Sequence, residues 1–358
     1  MEEKAAPAYN IIKGIADDSE LELYRGCFEK NGTERVLNNY QWLHQQNLIK
    51  ANMIYYAMHN KDIAAIFTAL PVPFKIGNEI MPAIQSIDAL TDAAHRGKGL
   101  FPQLATKLYA DATDNNYALV YGFPNENSGP GLFNKLQWTS FGKAPFLLKP
   151  LNLFYFINKF FNKKNKGILP NGNYSYNAPA FKKINSSTEI KMLENFDASY
   201  DKIWQAASQK IRVCANRSAA YMNWRFVDKP DEVYYRYGFY TKGELQGIVV
   251  FSIKRKHGGL IGYLMELIYD PQHENAGKQL LKFASAQCRK EKADTILAWS
   301  IPDCFNYALY KKCGYYNFPE KLRPQQLFFG ARAFDKKNSR VILDVKNWYI
   351  SYSDSDTS

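Results

Sequence analysis

The chain has 358 residues, a length that suits two domains rather than one. Hydrophobic residues make up 46% and charged residues 22%, a globular composition that excludes an intrinsically disordered chain. The net charge of +12 favours anionic partners, but the basic residues are not concentrated in one arm. A nucleic-acid-binding protein is therefore not expected.

The cysteines, the N-terminus and the most apolar segment indicate the cellular location of the protein. The five cysteines are odd in number, and neither they nor the five histidines show metal-ligand spacing. The N-terminus, MEEKAAPAYN, lacks the apolar stretch of a signal peptide. The most apolar segment, 145–161, is interrupted by Lys149, Pro150, Asn152 and Asn158, so it falls short of the ~20 apolar residues that span a membrane. We expect a cytoplasmic protein with reduced thiols and no metal.

The first half of the chain predicts alternating helices and strands. Leu104, Leu108 and Ala112, for example, share one face of a helix. In chain order the predicted elements are a strand at 9–14, a helix from Asp18, a helix at 36–47, strands at 51–58 and 63–70 joined by a turn, a strand at 79–90, a helix at 100–115, a strand at 118–122, a short helix at 130–136 and a strand at 139–148.

A second passage of the sequence repeats the first. At an offset of 182, Trp42 aligns with Trp224, and 62–65 aligns with 244–247 in a similar strand–turn–strand context. At an offset of 177, 133–138 aligns with 310–315, each after a buried strand and a turn. A nearly constant offset predicts a duplicated domain.

The predicted domain borders follow from this repeat and from composition. The first domain is expected at 1–160, a linker rich in Asn, Lys, Gly and Pro at 161–180, and the second domain at 181–350. The polar residues 351–358 predict a disordered tail.

The most informative motif joins the strand at 79–90 to the helix that follows it. Gly97 and Gly99 let the backbone approach a ligand closely, and the helix beginning at Leu100 directs N–H groups to the same place. Arg96 and Lys98 add positive charge beside them. The pattern predicts an anion site that suits a diphosphate.

Arg96-Gly97-Lys98-Gly99 resembles the coenzyme A loop of the GNAT superfamily of acetyltransferases, although Phe101 replaces the final small residue of that pattern. The segments 121–127, 133–138 and 219–226 are similar to GNAT proteins of surface-polysaccharide gene clusters, which are distant relatives of FemAB ligases. The resemblance implies an α/β (α+β) chain with a tandem duplicated fold. Each copy is expected to be a mixed, mostly antiparallel twisted sheet flanked by helices.

The resemblance also implies an activity, the transfer of an acetyl group from acetyl-CoA to the amine of a small molecule or glycan. The backbone of Ala89, Leu90 and Thr91 is expected to hold the pantetheine arm. Asp88 is the candidate base or ammonium-binding group, and a purely structural carboxylate is the alternative. Asn127 matches an asparagine that often contacts the cofactor; the alternative is a turn residue.

The donor of a proton to the departing thiolate is harder to assign. The family often places a tyrosine where this chain has Phe133, which has no proton to donate. Tyr109 and Tyr121 are the candidate replacements, with core packing as the alternative for both.

The second domain shows the opposite pattern. Tyr310 stands at the donor position, but the loop at 270–278 lacks paired glycines and carries Asp270 and Glu274, which repel a diphosphate. We therefore expect acyl-CoA in the first domain and a degenerate second domain that forms a wall of the acceptor site. A FemAB-like ligase that uses aminoacyl-tRNA, or a non-catalytic CoA-binding module, are the alternative functions.

Residues 151–164 combine phenylalanines with Lys159, Lys163 and Lys164. Two interpretations remain open for them: peripheral contact with a membrane, and packing between the domains.

Overall fold

The computed structural model describes residues 8–161, 171–323 and 325–355, with side chains placed at 8–157, 171–323 and 325–355. The chain forms two compact units. The first unit contains Met1–Lys143 and Leu327–Leu343, and the second contains Ala144–Gln326 and Asp344–Ser358. Part of the predicted linker at 161–180 lies outside the described residues.

The first unit is built on one mixed, mostly antiparallel sheet. Its strand order is β1-β2-β3-β4-β5-β17-β6, with β4 and β5 parallel. The strands are β1 (Asn10–Lys13), β2 (Met53–His59), β3 (Asp62–Ile76), β4 (Glu79–Thr91), β5 (Leu119–Gly122), β6 (Thr139–Lys143) and β17 (Phe328–Ala333). The helices are α1 (Asp18–Lys30), α2 (Leu37–His44), α3 (Leu100–Asp114), α4 (Gly129–Lys135) and α10 (Ser339–Ile342).

Alternation along the strands divides the core of this unit into two layers. Phe67 of β3 packs with Leu104 and Leu108 of α3, whereas its neighbour Ile66 packs on the other face with Tyr24 of α1. The sheet therefore lies between α3 on one face and the α1–α2 pair on the other.

Local sequence signals explain several element ends. The Asp17 side chain accepts a hydrogen bond from the Glu20 amide (2.8 Å) and so caps α1. The β2–β3 hairpin turns at Asn60, whose φ of 57° lies in the left-handed region that asparagine tolerates. The predicted turn between these strands is confirmed.

The second unit repeats this plan. Its sheet has the order β16-β7-β15-β14-β13-β12-β10-β9, with β8 beside β13 and with β14 and β15 parallel. The strands of this sheet are β7 (Phe146–Pro150), β8 (Gly172–Asn173), β9 (Phe181–Lys183), β10 (Thr188–Met192), β12 (Tyr235–Thr241), β13 (Glu244–Lys256), β14 (Gly259–Tyr269), β15 (Thr295–Trp299) and β16 (Tyr316–Asn317). The unit also contains β11 (Val213–Ala215), which is not a strand of this sheet. The helices are α5 (Leu153–Phe161), α6 (Ala198–Ser208), α7 (Ala219–Phe226), α8 (Glu274–Lys290) and α9 (Tyr307–Lys312).

The structure confirms the duplicated, mixed α/β fold. The order β2-β3-β4-α3-β5-α4 of the first unit recurs as β12-β13-β14-α8-β15-α9 in the second. The aligned residues Trp42 and Trp224 lie in α2 and α7, and the aligned residues Phe133 and Tyr310 lie in α4 and α9. No helix of the described part of the chain is both long and apolar enough to cross a membrane.

The single strand predicted at 139–148 is wrong. It is two strands, β6 and β7, which separate at Ala144-Pro145 and enter different sheets. β6 pairs with β17, and β7 pairs with β15. Each sheet is thus completed by a strand from the other half of the sequence, an arrangement that strand propensity alone does not reveal.

The predicted disorder of 351–358 is also wrong for residues 351–355, and residues 356–358 lie outside the described residues. Ser351, Ser353 and Asp354 are buried, and Tyr352–Asp354 forms a turn of 3-10 helix. Arg217 donates to Asp354 Oδ2 (2.5 Å) and to Glu266 Oε2 (2.9 Å). Polar composition was misleading because these groups satisfy a buried arginine rather than facing water.

Truncation after Trp348 tests this role of the C-terminal segment. Loss of Asp354 leaves Arg217 buried with a reduced set of partners, so we expect the second unit to lose at least ~3 kcal/mol of stability. Thermal unfolding followed by calorimetry measures the effect. A chain that ends at Ser355 is the control and should unfold like the full chain. Equal unfolding of all three proteins would contradict a stabilising role.

Candidate active site

A bulge in β4 creates the central feature of the first unit. Ala69 of β3 lies opposite Ser86, whereas Phe67 lies opposite Ala89. Between these pairs β3 has one residue and β4 has two, Ile87 and Asp88. A bulge of this kind bends a strand and redirects its side chains.

Next to the bulge, the pairing of β4 with β5 ends. Its described pairing with β5 covers Ile84 to Ser86 and ends at the Ser86–Gly122 pair. A Cβ atom at position 122 would lie only 3.0 Å from the Ser86 carbonyl oxygen, so the close approach of the two strands here requires glycine. Beyond this pair one edge of β4 is open, and we call the space beside it the β4–β5 gap.

The hydrogen bonds between β3 and β4 determine which backbone groups of β4 face the β4–β5 gap. The Asp92 amide donates to the Ala64 carbonyl of the β3 side (2.9 Å). Because amides along a strand alternate in direction, the backbone of Leu90 also faces β3, and that of Ala89 and Thr91 faces the gap. Of the three residues predicted to contact the cofactor through their backbone, Ala89 and Thr91 face the gap and Leu90 faces β3.

The glycine loop follows directly at the end of β4. Gly97 and Gly99 have φ values of 77° and 71°, so the predicted need for glycine at both positions is met. Arg96 and Lys98 are exposed, and the Arg96 Nε donates to the Thr91 carbonyl (3.4 Å). α3 begins at Leu100, whose amide is among those left unpaired by helix geometry. The loop therefore combines positive charge with N–H donors, as a diphosphate requires.

Asp92 holds this loop in place. Its carboxylate accepts from the Ala94 amide (2.9 Å) and from Asn31 (3.3 Å), and it pairs with Lys30 (2.8 Å). The Lys30 ammonium, followed by the Ala94 amide, lowers the pKa of Asp92 to about 2. Asp92 thus caps the turn at 93–95, and Lys30 is its cationic partner.

Two phenylalanines close the space between α3 and α4. The Phe101 ring lies against Gly131, where an added Cβ would approach it to 2.8 Å, and packs edge-on to Phe67. The Phe133 ring lies over Gly330 of β17 and contacts the ring of Phe328. Phe101 thus points toward α4 instead of obstructing the loop, which explains why a bulky residue is tolerated at this position.

Asp88 is buried at the bulge on the α1–α2 face. It accepts from the Tyr24 hydroxyl (2.9 Å) and from the Arg35 guanidinium (2.8 Å). Burial raises the pKa of Asp88, while Arg35 and the Tyr24 hydrogen bond oppose that rise. Arg35 and Tyr24 are site residues that sequence inspection missed, because they lie 53 and 64 positions away in the chain.

The other predicted side chains lie in different settings. Tyr109 is in the core, where its hydroxyl accepts from Trp138 (3.0 Å), and it lies nine residues into α3. Tyr121 is buried and donates to Gln85 (3.2 Å). Both contacts support the core-packing alternative. Asn127 is exposed, and its amide donates to Asn125 Oδ1 (2.9 Å), so Asn125 orders this loop.

The corresponding position of the second unit is filled by the chain itself. Its β14 strand also has a bulge, between the pairs Phe251–Leu264 and Val250–Glu266. Glu266, 178 positions after Asp88, is buried against Arg217 and the hydroxyl of Tyr349. The next carbonyl, that of Leu267, accepts from Asn306 (3.3 Å) and Tyr349 (3.3 Å).

Comparison with known proteins agrees with this geometry. Residues 18–140 match the family model described as the acetyltransferase (GNAT) domain. The match covers 123 of the 358 residues and agrees with the predicted class of enzyme, an acyl-CoA-dependent N-acyltransferase. No curated protein sequence matches the chain.

Three solved structures share the fold at low identity. A GCN5-related N-acetyltransferase from Anabaena variabilis is 13% identical, with a TM-score of 0.60 over 92% of this chain and 74% of that one. A probable N-acyltransferase from Enterococcus faecalis is 12% identical, with a TM-score of 0.59 over 92% and 74%. Saccharomyces cerevisiae N-myristoyltransferase with bound myristoyl-CoA is 12% identical, with a TM-score of 0.57 over 91% and 83%.

A metal site has no support among the side chains that are described. No group of three or more His, Cys, Asp or Glu side chains is arranged to hold a metal ion there. His95 precedes the glycine loop, and its Nδ1 lies 3.0 Å from the Tyr9 hydroxyl.

The Asp92 cap gives a pH-dependent prediction. Because its pKa is lowered by folding, its stabilising effect is present above the ordinary pKa of aspartate, ~3.9, and is lost as the pH falls toward about 2. Asp92→Ala should therefore cost ~1–2 kcal/mol at neutral pH, and the difference from the parent should shrink between about pH 5 and pH 3. Urea unfolding across this range measures it. Asp344→Ala, which removes an exposed cap, is the control, and a constant difference for Asp92→Ala would refute the assignment.

Proposed function

We propose that the first unit transfers an acetyl group from acetyl-CoA to a primary amine. The observation that carries the proposal is the bulge, which joins a buried carboxylate, Asp88, to gap-facing backbone at Ala89 and to the glycine loop, which begins at Arg96, five residues after Thr91. Acyl transfer needs three features close together: a group that binds the amine, a hydrogen-bond donor to the carbonyl oxygen, and a binding site for the cofactor.

Each part of the site has a distinct task in this mechanism. The loop around Gly97 and Gly99 holds the diphosphate, and the gap-facing backbone of Ala89 and Thr91 holds the pantetheine. The Ala89 N–H polarises the thioester carbonyl. The acceptor amine attacks that carbonyl, the C–N bond forms, and the C–S bond breaks. Asp88 binds the ammonium and accepts the proton that the amine loses. Water protonates the leaving thiolate, because Phe133 has no proton to give.

The surroundings of Asp88 support a short acyl group. Tyr24, Phe28 and Tyr40 are buried on the same face and pack against one another, with Tyr24 and Tyr40 ring centroids 4.4 Å apart. Because these rings fill the space beside Asp88, the site favours an acetyl group over a long acyl chain such as the myristoyl group named for the yeast structure. For the acceptor we propose an amino sugar of a surface polysaccharide, on the resemblance of 121–127 and 219–226 to proteins of such gene clusters. The free state of the five cysteines supports a cytoplasmic location.

We further propose that the second unit does not bind coenzyme A. The Leu267 carbonyl occupies the position that corresponds to Ala89, and it already accepts two hydrogen bonds. Asp270 and Glu274 at the start of α8 place negative charge where the first unit has glycines and cations. The first feature occupies a carbonyl that a pantetheine arm would need, and the second opposes an anionic ligand.

Acetyl-CoA should stabilise the protein saturably against thermal unfolding, and Gly97→Asp with Gly99→Asp should abolish the shift, because two carboxylates then face the diphosphate. The matched control is Gly77→Asp with Gly243→Asp, which adds the same charge at two other left-handed glycines with open space around them. A shift that persists in the loop variant would place the cofactor elsewhere. No shift in the parent would favour the aminoacyl-tRNA ligase.

The role of Asp88 predicts separate effects on rate and on cofactor binding. Asp88→Asn should lower kcat by ~10²–10⁴-fold while the acetyl-CoA thermal shift is unchanged. Arg35→Gln removes a cation that lowers the pKa of Asp88, so the acidic limb of the rate profile should move to higher pH. The measurement is initial rate against pH with an amine acceptor. An unmoved limb would mean that Asp88 is not the titrating group, and full activity in Asp88→Asn would make it structural.

A further inference from the structure

The short helix α5 carries apolar side chains that face outward. Leu153 is 68% exposed, Phe154 is 73% exposed and Ile157 is 48% exposed. Residues three and four positions apart are neighbours on a helix surface, and Ile157 follows Phe154 and Leu153 at these spacings. The three therefore form a continuous surface, which we call the α5 face. Single exposed apolar residues are ordinary, whereas a contiguous group marks a binding surface.

The α5 face is held rigidly on the second unit. On the opposite side of the helix, the Tyr155 hydroxyl donates to the His257 carbonyl (3.2 Å). The Tyr155 ring packs so tightly on Gly259 that an added Cβ would approach it to 2.5 Å. At the start of the helix, Asn152 donates to Asp294 (2.9 Å). The helix is thus anchored by its inner side to the β13–β14 hairpin, which leaves the outer side available.

The sequence that flanks α5 carries charge of one predominant sign. Residues 144–188 contain seven lysines and no Asp, Glu or Arg. The adjoining β13–β14 hairpin adds Arg255 and Lys256, which are partly exposed. The acidic groups near the helix are already engaged: Glu232 pairs with Lys254 (2.7 Å), Glu291 accepts from Tyr174 (2.9 Å), and Asp294 accepts from Asn152 and from the Leu260 amide.

We propose that the α5 face docks on an anionic phospholipid surface, with its three apolar side chains inserted at the level of the headgroups. Exposed aliphatic and aromatic side chains beside lysines match such a surface in both polarity and charge. A single-stranded nucleic acid fits less well, because its binding surfaces rely on several stacked aromatic rings, whereas the α5 face has one aromatic side chain, Phe154. The docking is independent of the acyl transfer proposed above, and it would bring the enzyme to lipid-linked acceptors.

Cosedimentation tests the proposal with vesicles of phosphatidylcholine alone and of equal parts phosphatidylcholine and phosphatidylglycerol. The parent should bind the anionic vesicles about tenfold more strongly, and added salt should weaken the binding. Leu153→Ser, Phe154→Ser and Ile157→Ser combined should abolish it. The matched control combines Ile15→Ser, Leu23→Ser and Phe181→Ser, which are exposed apolar residues elsewhere in the chain, and it should bind like the parent.

Two further measurements test whether the α5 variant is folded and whether position 154 enters the lipid surface. The thermal unfolding of the α5 variant should equal that of the parent, since the replaced side chains face outward. In a Phe154→Trp variant, the tryptophan emission should move to shorter wavelength when anionic vesicles are added. Equal binding to both vesicle types, or unchanged binding by the α5 variant, would overturn the proposal. Binding of single-stranded RNA that is lost with the α5 variant, without vesicle binding, would assign the surface to nucleic acid.

Discussion

The candidate site depends on one constraint, the loss of regular pairing along β4. The bulge at Ile87 and Asp88 and the end of pairing at Ser86–Gly122 occur within three residues. Backbone amides that a complete sheet would use for its own hydrogen bonds are thereby directed to the β4–β5 gap. The glycine loop, the helix start at Leu100 and the buried Asp88 all take their positions from this interruption.

The second unit shows how the same interruption can be satisfied from within the chain. Its bulge and the divergence of its two parallel strands are retained, but Asn306 and Tyr349 occupy the Leu267 carbonyl, and Arg217 neutralises Glu266. A buried carboxylate is costly unless it is paired, so the C-terminal segment that supplies Tyr349, Ser351 and Asp354 also stabilises the unit. The two copies of the fold therefore differ in what the backbone groups beside the bulge face: an open gap in the first unit, and a hydrogen-bond network within the chain in the second.

The α5 face is an apolar surface, whereas the candidate site is a polar one. Polar groups at the site are held in fixed directions by the sheet, whereas Leu153, Phe154 and Ile157 are apolar and outward-facing on a helix that Tyr155 fixes to its hairpin. The proposed transfer to a lipid-linked amine would need both properties, a fixed polar site for the chemistry and affinity for a lipid surface.

The sequence by itself determined the duplicated α/β fold, the helix and strand order of the first half, and the loop Arg96-Gly97-Lys98-Gly99, because periodicity, turn residues and glycine spacing are local signals. It indicated Asp88 through its place just before that loop. Only the tertiary structure decided the partners of Asp88, the orientation of Leu90 toward β3, the core positions of Tyr109 and Tyr121, and the burial of 351–355. It also decided that 139–148 divides between two sheets. These features are contacts between residues far apart in the chain, and no local pattern specifies which distant strand or side chain will complete a sheet or pair with a buried charge.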